Sequence, residues 1–306
     1  MFNLIIAILL AADVYCSSCG KNIEGKYWKV AAQTGDYIYC DNCYNNLQHC
    51  AGCNIPINSS FTADGKYFCN NCYSKLPRCS SCGSIITTGG WQYQNDNVHV
   101  YCNNCQQGKD HCDVCGAPTP EEFARIKLDD GRFICERCNS TAIITTQEAI
   151  EILKDISDYL QAKFNIFVTH SAPITLANRD ILKSKAKNKI EGDANKLFGL
   201  FVRKGDNYEI YMLYGLPRSV AIAVLSHEYT HAWQEEHCVK KQPLLIREGF
   251  AEWIAYKTLM FYNLTDEAKM MEERQNDVYG EGLKKMLKLE ANSNESSVLK
   301  YGKYAK

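Results

Sequence analysis

The chain has 306 residues, of which 46% are hydrophobic and 23% charged, and its formal net charge is -1. These values are typical of a globular protein with one large or two modest domains, and they exclude a disordered, collagen-like or multi-span membrane protein. Because nucleic-acid-binding proteins normally carry a strong basic excess, the near-zero charge also argues against nucleic acid as a partner. The unusual value is the number of cysteines, which is 17.

The chain begins with an apolar run over residues 2–12, which Asp13 follows. The run is too short to span a bilayer, but its length suits the core of a secretory signal peptide. We therefore predict a signal peptide over residues 1–12 and a secreted or exported protein. A cytoplasmic chain with a buried N-terminal segment is the alternative. No other segment is apolar enough for a stable membrane span.

Sixteen cysteines form eight C-x-x-C pairs between residues 16 and 138, and the pairs define four repeats that are six residues apart. Four thiolates at this spacing suit a structural zinc ion with tetrahedral geometry, which leaves no open position for chemistry. A disulfide scaffold is the alternative, although the regular C-x-x-C spacing disfavours it. The four expected ligand sets are Cys16, Cys19, Cys40 and Cys43; Cys50, Cys53, Cys69 and Cys72; Cys79, Cys82, Cys102 and Cys105; and Cys112, Cys115, Cys135 and Cys138.

Other residues recur in register with these cysteines. A glycine follows the second cysteine in three repeats, where a tight turn would direct backbone amides at the sulfurs, and an aromatic-rich stretch precedes the third cysteine of each repeat. This pattern predicts a hairpin that ends in a second knuckle and an aromatic miniature core. A unit of about thirty residues buries too little apolar surface to fold alone, so metal binding must supply stability. Residues 16–138 are thus expected to be a zinc-finger array that binds or positions protein partners.

Residues 139–146 are predicted to be a linker, and residues 141–306 a separate domain of a different composition. Its periodicity indicates an α+β fold with a small sheet. The predicted elements are a helix over 147–164, a hairpin of strands 197–202 and 208–214, a helix over 221–234 that Ser219 caps, and a helix over about 245–261.

The third of these elements carries the sequence His227-Glu228-Tyr229-Thr230-His231. Histidines four residues apart project from one face of a helix and can bind a single zinc ion, and Glu228 can act as the general base for a water that the zinc activates. Two surface histidines on an ordinary helix are the alternative. The apolar stretch over 221–225 favours a buried helix and therefore the zinc site.

A catalytic zinc ion needs a third protein ligand and an open fourth position. Glu248 and Glu252 lie on the next predicted helix and share one face of it. We expect Glu248 to be the zinc ligand, because Gly249 beside it permits close approach of the helices. Glu252 would then accept the free N–H of a zinc-binding histidine, with a solvated helix carboxylate as the alternative.

Several segments of this region resemble one protein family. They are Tyr214–Arg218, HEYTHAW at 227–233, REGFAEW at 247–253, and Val278–Gly280 with Gly282. They resemble the plant family of LIM-containing, ubiquitin-activated zinc peptidases that limit organ growth, which has relatives outside plants. The likeness runs from about residue 174 to the C-terminus and includes the cysteine-rich region. It implies a gluzincin-like metallopeptidase domain with an HExxH helix, in which His227, His231 and Glu248 bind zinc and Glu228 is the general base.

The sequence departs from the family in two respects. Regular LIM modules usually include a histidine ligand and have only two residues between their fingers, so the four repeats are LIM-like. The resemblance does not cover the ubiquitin-interacting helices of the plant proteins, and ubiquitin activation is therefore not carried over.

The mechanism also requires a group that stabilises the oxyanion. Tyr279 is the candidate because it lies in the family-like VYG segment, and Tyr256 is second; a buried core phenol is the commoner role for either. The strand over 208–214 is a candidate edge for an extended substrate, or simply a core strand. Cys238, outside the repeats, is interpreted as a structural thiol.

The sequence thus predicts a zinc endopeptidase of the gluzincin type that acts on a protein or peptide substrate. It would hold one catalytic and about four structural Zn²⁺ ions. The alternative is a non-catalytic LIM-like adaptor in which residues 141–306 are inert, although such an adaptor has no need of Glu228. An aminopeptidase is a third reading, which would require a carboxylate that recognises a free amine.

Overall fold

The structure is a computed structural model. It describes residues 13–32, 35–57, 60–92, 99–108, 110–119, 125–186, 197–274 and 277–305. The chain forms two compact units, residues 1–91 with 100–103 and residues 92–99 with 104–306. The predicted signal peptide lies outside the described residues. Among the helices that are described, none is long and apolar enough to cross a membrane.

The cysteine-rich repeats share one plan, in which a knuckle is followed by an antiparallel pairing and a short helix. Their elements are β1 (Trp28–Ala32), β2 (Gly35–Tyr39), α1 (Asp41–Asn45), β3 (Phe61–Ala63), β4 (Lys66–Phe68), α2 (Asn70–Ser74), α3 (Asn103–Gln107), β5 (Arg125–Lys127), β6 (Phe133–Cys135) and α4 (Glu136–Asn139). Strands β1–β2, β3–β4 and β5–β6 form hairpins, and the third repeat has a bridge between Trp91 and Tyr101. Each short helix begins directly after the third cysteine, so the predicted hairpin and second knuckle are confirmed.

A left-handed turn closes the first knuckle of every repeat. The φ angles are 70° at Gly20, 72° at Gly83 and 73° at Gly116, and the second repeat has Asn54 at 56°. Glycine reaches this region without steric cost, and asparagine tolerates it better than most residues. In the first repeat, the N–H of Gly20 donates a hydrogen bond to the carbonyl of Cys16 at 2.8 Å. The tight turn predicted from the glycines is therefore confirmed.

Aromatic side chains form small cores beside the hairpins. In the first repeat Trp28 stacks on Tyr44 with ring centroids 4.2 Å apart. In the second repeat Phe68, directly before the third cysteine, is buried, whereas its neighbour Tyr67 is exposed. Successive side chains of a strand point to opposite faces, so only one residue of such an aromatic pair can enter the core.

The second compact unit continues after the fourth repeat with a small sheet and a set of helices. The elements are β7 (Ala142–Ile143), α5 (Thr146–Phe164), β8 (Ile174–Ala177), α6 (Arg179–Ala186), β9 (Gly199–Lys204), β10 (Asn207–Leu213), β11 (Leu216–Pro217), α7 (Arg218–His237), α8 (Leu244–Phe261), α9 (Thr265–Glu273), α10 (Val278–Asn292) and α11 (Glu295–Tyr304). The predicted helices and hairpin are present. Ser219 lies inside the first turn of α7 and not at its cap, because the helix begins directly after Pro217.

The three-stranded sheet has the order β8-β10-β9. Strand β10 pairs in parallel with β8 and antiparallel with β9, so both of its backbone edges are used. The expectation that the strand over 208–214 is an edge for substrate is therefore wrong. The reason is the parallel pairing with β8, a nonlocal contact that strand periodicity does not reveal.

Residues 139–146 are more ordered than a linker. They contain β7, in which Ile143 lies opposite Leu216 and Ala142 opposite Pro217. Capping by Thr145 and Glu148 then starts α5. The chain from the fourth repeat is thus paired directly with the segment that leads into α7.

Helices α8 and α10 meet at two glycines. A Cβ atom added to Gly249 would lie 2.5 Å from the Cα of Gly282, and a Cβ on Gly282 would lie 2.5 Å from the Cα of Gly249. The close approach that Gly249 permits is therefore to α10. Buried Phe250 and Trp253 extend the core of α8 next to this contact.

Replacing Gly249 with alanine should destabilise the second unit by about 2 kcal/mol. Alanine normally stabilises a helix interior by about 1 kcal/mol relative to glycine, so a net loss reports the overpacking, which typically costs about 1–3 kcal/mol or more. The measurement is urea unfolding in zinc-containing buffer, followed by tryptophan fluorescence. Glu281→Ala on the exposed face of α10 is the control and should change stability by less than about 0.5 kcal/mol. A stabilised Gly249→Ala protein would contradict the close contact.

Candidate metal centres

The sixteen repeat cysteines converge in four groups of four, and these groups are the expected ligand sets. Sγ atoms that face each other lie 4.0 Å apart for Cys19–Cys40, 3.9 Å for Cys53–Cys69, 3.7 Å for Cys82–Cys102 and 3.8 Å for Cys115–Cys135. Four sulfurs that bind zinc tetrahedrally at about 2.3 Å are about 3.8 Å from one another. Disulfide sulfurs are bonded at about 2.05 Å. The geometry fits four structural zinc ions and not a disulfide scaffold.

Backbone amides point at several of these sulfurs. Cys50 Sγ accepts from the N–H groups of Gly52 at 3.4 Å and Cys69 at 3.3 Å, and Cys112 Sγ accepts from the N–H of Cys135 at 3.4 Å. Hydrogen bonds to a charged acceptor favour the charged form, so these amides stabilise the thiolates that a metal requires.

A fifth group of metal-binding side chains joins α7 to α8. His227, His231 and Glu248 each direct one ligand atom to a common point, and all three residues are buried. The Nε2 atoms of the two histidines are 3.0 Å apart. Glu248 Oε2 lies 3.2 Å from Nε2 of His227 and 3.3 Å from Nε2 of His231.

The remaining ring nitrogens of the two histidines lie near side-chain oxygens. Nδ1 of His231 is 2.7 Å from Oε1 of Gln234, whose Nε2 donates to the carbonyl of Arg247 at 2.9 Å and so orients the amide. Nδ1 of His227 is 3.2 Å from Oε1 of Glu252 but makes no hydrogen bond with the described residues. Because the oxygens of Gln234 and Glu252 are acceptors, the tautomer that suits both rings carries its proton on Nδ1 and leaves the lone pair on Nε2.

Two nitrogen lone pairs and a carboxylate oxygen therefore meet where only a cation can lie between them. Three ligands that bind zinc tetrahedrally at about 2.0–2.1 Å are about 3.3 Å apart, which matches this group. Without a metal, a proton would take this position. Burial opposes a charge on the ring, yet hydrogen bonds to Glu248 and Glu252 hold the pKa of His227 well above its usual range. The donor set fits a zinc ion with an open fourth position.

Glu228 lies beside this group on α7 and takes no part in it. Burial raises the pKa of its carboxyl group above the usual range. Its Oε2 accepts from the N–H of Phe201 on β9 at 2.7 Å, while Oε1 makes no hydrogen bond with the residues that the structure describes. Gly199 permits this approach of strand and helix, since an added Cβ would lie 2.4 Å from Val224 and 3.0 Å from Glu228.

The two candidate tyrosines differ in position. The ring of Tyr279 lies 5.9 Å from that of His227, and its hydroxyl makes no hydrogen bond within the described part of the chain. Burial, with the nearby glutamates, raises the pKa of Tyr279 to about 12. The hydroxyl of Tyr256 instead donates to Glu272 at 2.6 Å.

A cleft of about 790 Å³ opens beside the fifth group and includes His227, Glu228, Glu252 and Tyr279 among its lining residues. Sequence reasoning missed Gln234, although it follows His231 by three residues and so shares its helix face. It also missed Arg274, whose guanidinium lies 3.7 Å from Glu252. No local pattern marks Arg274, because it follows α9 and reaches the site only through tertiary packing.

Cys238 is not part of any metal group. Its Sγ donates to the carbonyl of Gly302 at 3.5 Å, and burial raises the pKa of the thiol to about 11. The adjacent His237 instead directs Nδ1 to the carbonyl of Trp233 at 3.1 Å. The thiol therefore lacks the low pKa of a nucleophilic cysteine.

Comparison with known proteins finds sequence similarity to plant LIM-domain proteins. No family model matches the chain. It is 25% identical to Protein DA1-related 2 of Arabidopsis thaliana over 172 residues, which cover 45% of this chain and 32% of the relative. It is 24% identical to LIM domain-containing protein HDR3 of Oryza sativa subsp. japonica over 170 residues, with 45% and 34% covered. Protein DA1 of Arabidopsis thaliana is 25% identical over 173 residues, with 46% and 32% covered.

The match spans about a third of the length of each of these relatives. The similarity supports the resemblance drawn from the sequence to DA1-related and LIM domain proteins of plants. Together with the four groups of four cysteines, it indicates a protein with tandem zinc-binding units.

Metal analysis tests the five groups directly. We expect about five zinc ions per chain in the wild type and about four in His227→Ala, because the remaining two ligands of the fifth group bind zinc weakly. The measurement is elemental analysis by mass spectrometry after exhaustive dialysis. His237→Ala, which lies on α7 outside the group, should keep about five ions. A wild-type chain without zinc would contradict all five sites.

Proposed function

We propose that this protein is a zinc-dependent endopeptidase whose active site is the cleft beside His227, His231 and Glu248. The observation that carries the proposal is the convergence of three lone-pair donors, 3.0–3.3 Å apart, next to a buried glutamate with a free oxygen. A purely structural site would use a fourth protein ligand and would have no need of that glutamate.

A zinc ion in this group would polarise a peptide carbonyl and increase the acidity of a water molecule. Glu228 would take the proton of that water at Oε1, because Oε2 is held by the N–H of Phe201. The same carboxyl group can then deliver the proton to the leaving amine.

Gln234 and Glu252 would keep the two histidine rings in the tautomer that binds metal. Each places an oxygen near Nδ1, at 2.7 Å for Gln234 and 3.2 Å for Glu252, which favours the Nε2 lone pairs at the common point. Arg274, 3.7 Å from Glu252, favours the ionised form of that carboxyl group. These three residues would act as positioning residues through the histidine rings.

Tyr279 would donate a hydrogen bond to the oxygen that gains charge as the carbonyl is attacked. With a pKa of about 12, its hydroxyl keeps its proton at neutral pH. Backbone and phenolic donors aimed at the developing oxyanion stabilise the transition state more than the substrate.

Strand β9 offers an edge for an extended substrate next to this site. It is one of the two outer strands of the sheet, and the N–H of Phe201 on this strand donates to Glu228. A peptide that pairs with the outer edge of β9 beyond Phe201 would pass the proposed active site with its backbone extended. The four-cysteine units would bind or position protein partners, as the LIM-domain relatives indicate.

Replacing Glu228 with glutamine should preserve the zinc content and reduce cleavage by about 10²–10⁴-fold, since a general base contributes about this factor. The assay follows fluorescent casein and the zinc content of the same sample. Glu281→Gln, on the exposed face of α10, should cleave at the wild-type rate. If zinc-loaded wild type cleaves no unfolded protein, the non-catalytic adaptor, which the four groups of cysteines support, becomes the better reading.

Replacing Tyr279 with phenylalanine should reduce kcat by about 10²–10³-fold with little change in KM, because the lost hydrogen bond forms only in the transition state. Steady-state kinetics on one fluorogenic peptide separate the two constants. Tyr256→Phe removes a hydroxyl that donates to Glu272 and should leave kcat near the wild-type value. An unchanged kcat in Tyr279→Phe would remove this residue from the mechanism.

A further inference from the structure

The fourth cysteine-rich repeat forms one wall of the cleft beside the proposed active site. Residues of this repeat and of the segment that follows it line the cleft, namely Val114, Cys115, Arg137, Cys138, Ser140 and Thr141. His227 and Glu228 line the same cleft. A chain bound at the metal group therefore lies against a zinc finger.

Buried polar contacts hold this wall to the rest of the second unit. Arg132 Nε is 2.8 Å from Asp130 Oδ2, with both side chains buried, and Arg132 Nη2 donates to the carbonyl of Tyr214 at 2.6 Å. Arg179 Nη1 contacts Asp113 Oδ1 at 3.2 Å. Because Asp113 lies between the first two cysteines of the repeat, the knuckle itself is anchored.

The wall continues into the first turn of α7. The N–H of Arg218 donates to the carbonyl of Thr141 at 2.8 Å, next to the pairing of β7 with β11. Arg218 and Ser219 also line the cleft. Arg137 of the fourth repeat and Arg218 of α7 thus belong to one continuous surface.

This surface differs in charge from the other walls. Among its described cleft-lining residues are two arginines and the hydroxyls of Ser140, Thr141 and Ser219, with no carboxylate. The carboxylates that line the cleft come from elsewhere and belong to Glu228, Glu252 and Glu267. A guanidinium group only donates hydrogen bonds and is always charged, so an arginine on this surface favours an anion. The hydroxyl of Ser140 already donates to the carbonyl of Arg137 at 2.8 Å.

Arg218 is the residue best placed to bind such an anion. Its side chain is exposed and makes no ion pair with the residues that the structure describes. Hydrogen bonds from Thr145 and, more weakly, the charge of Arg218 lower the pKa of Glu148, but that carboxylate already accepts from Ile144 and Thr145. Arg274, which also lines the cleft, is engaged by Glu252 at 3.7 Å.

We propose that Arg218, on the surface that the fourth repeat and the first turn of α7 form, binds an anionic side chain of the substrate. The cleft would thereby select protein segments that carry Asp or Glu, or a phosphorylated residue, near the cleaved bond. The inference rests on the proposed function in so far as the cleft is the substrate site. It assigns to the surface between the fourth repeat and α7 a direct part in recognition.

Cleavage-site profiling on a proteome-derived peptide library tests the selection. Wild type should enrich acidic residues at one position relative to the cleaved bond by about tenfold, the scale of a charged hydrogen bond. Arg218→Gln should lose the enrichment, Arg218→Lys should retain part of it, and Arg218→Glu should favour Lys or Arg there. Lys300→Gln changes charge by the same amount on the exposed face of α11 and should keep the wild-type profile.

A binding measurement makes the inference independent of catalysis. Zinc-loaded Glu228→Gln protein is titrated with fluorescein-labelled random peptide pools that hold Glu, Gln or phosphoserine at a fixed position. We expect the Glu pool to bind about tenfold more tightly than the Gln pool, and Arg218→Gln in the same background should abolish the difference. Tighter binding of the phosphoserine pool would identify a phosphate as the preferred anion.

The cleavage profile and the binding titration together distinguish failure of the anion subsite from failure of the peptidase proposal. Cleavage without any acidic preference, or equal binding of the Glu and Gln pools, overturns the anion subsite and leaves the peptidase in place. Charge-selective binding that Arg218→Gln abolishes, in a protein whose wild type cleaves nothing, supports the subsite and overturns the peptidase.

Discussion

The junction of α7 and α8 depends on one electrostatic constraint, which is the convergence of two histidine lone pairs and a carboxylate in a buried place. Such a group is repulsive unless a cation lies at its centre. The contacts around the group reduce this repulsion. Gln234 and Glu252 keep the histidine protons on the far side of each ring, and Arg274 balances the charge of Glu252. The packing of α8 on α10 at Gly249 then holds Glu248 in reach of α7.

The same principle operates in the cysteine-rich repeats on a smaller scale. Four sulfurs about 3.8 Å apart replace the apolar core that so short a unit cannot build. The fourth repeat departs from the other described repeats in its setting, because it belongs to the same compact unit as the helices. Its buried Arg132–Asp130 pair and its contact to Tyr214 join this repeat to the segment that leads into α7. The fourth repeat and the cleft beside the fifth group therefore belong to the same packed unit.

Much of this arrangement was predictable because it depends on short chain distances. The spacing of His227 and His231 defines one helix face, and Glu248 and Glu252 share another. The knuckle turns follow from glycines next to cysteines. Other features required contacts between distant segments. The central place of β10 depends on its pairing with β8, and the partner of Gly249 proved to be α10. Arg274 reaches Glu252 only because α9 folds back over α8, and the wall of the cleft depends on β7 pairing with β11.

The sequence by itself determined which atoms are available to bind metal, since C-x-x-C pairs and histidines four residues apart bring ligands together within a single knuckle or helix turn. It also determined the helices that carry them, through apolar periodicity. The tertiary structure decided which carboxylate meets which ring nitrogen, which oxygen of Glu228 remains free, and which surface faces the cleft. These are distances of about 3 Å between atoms that are many residues apart along the chain, and only the packing of whole elements sets them.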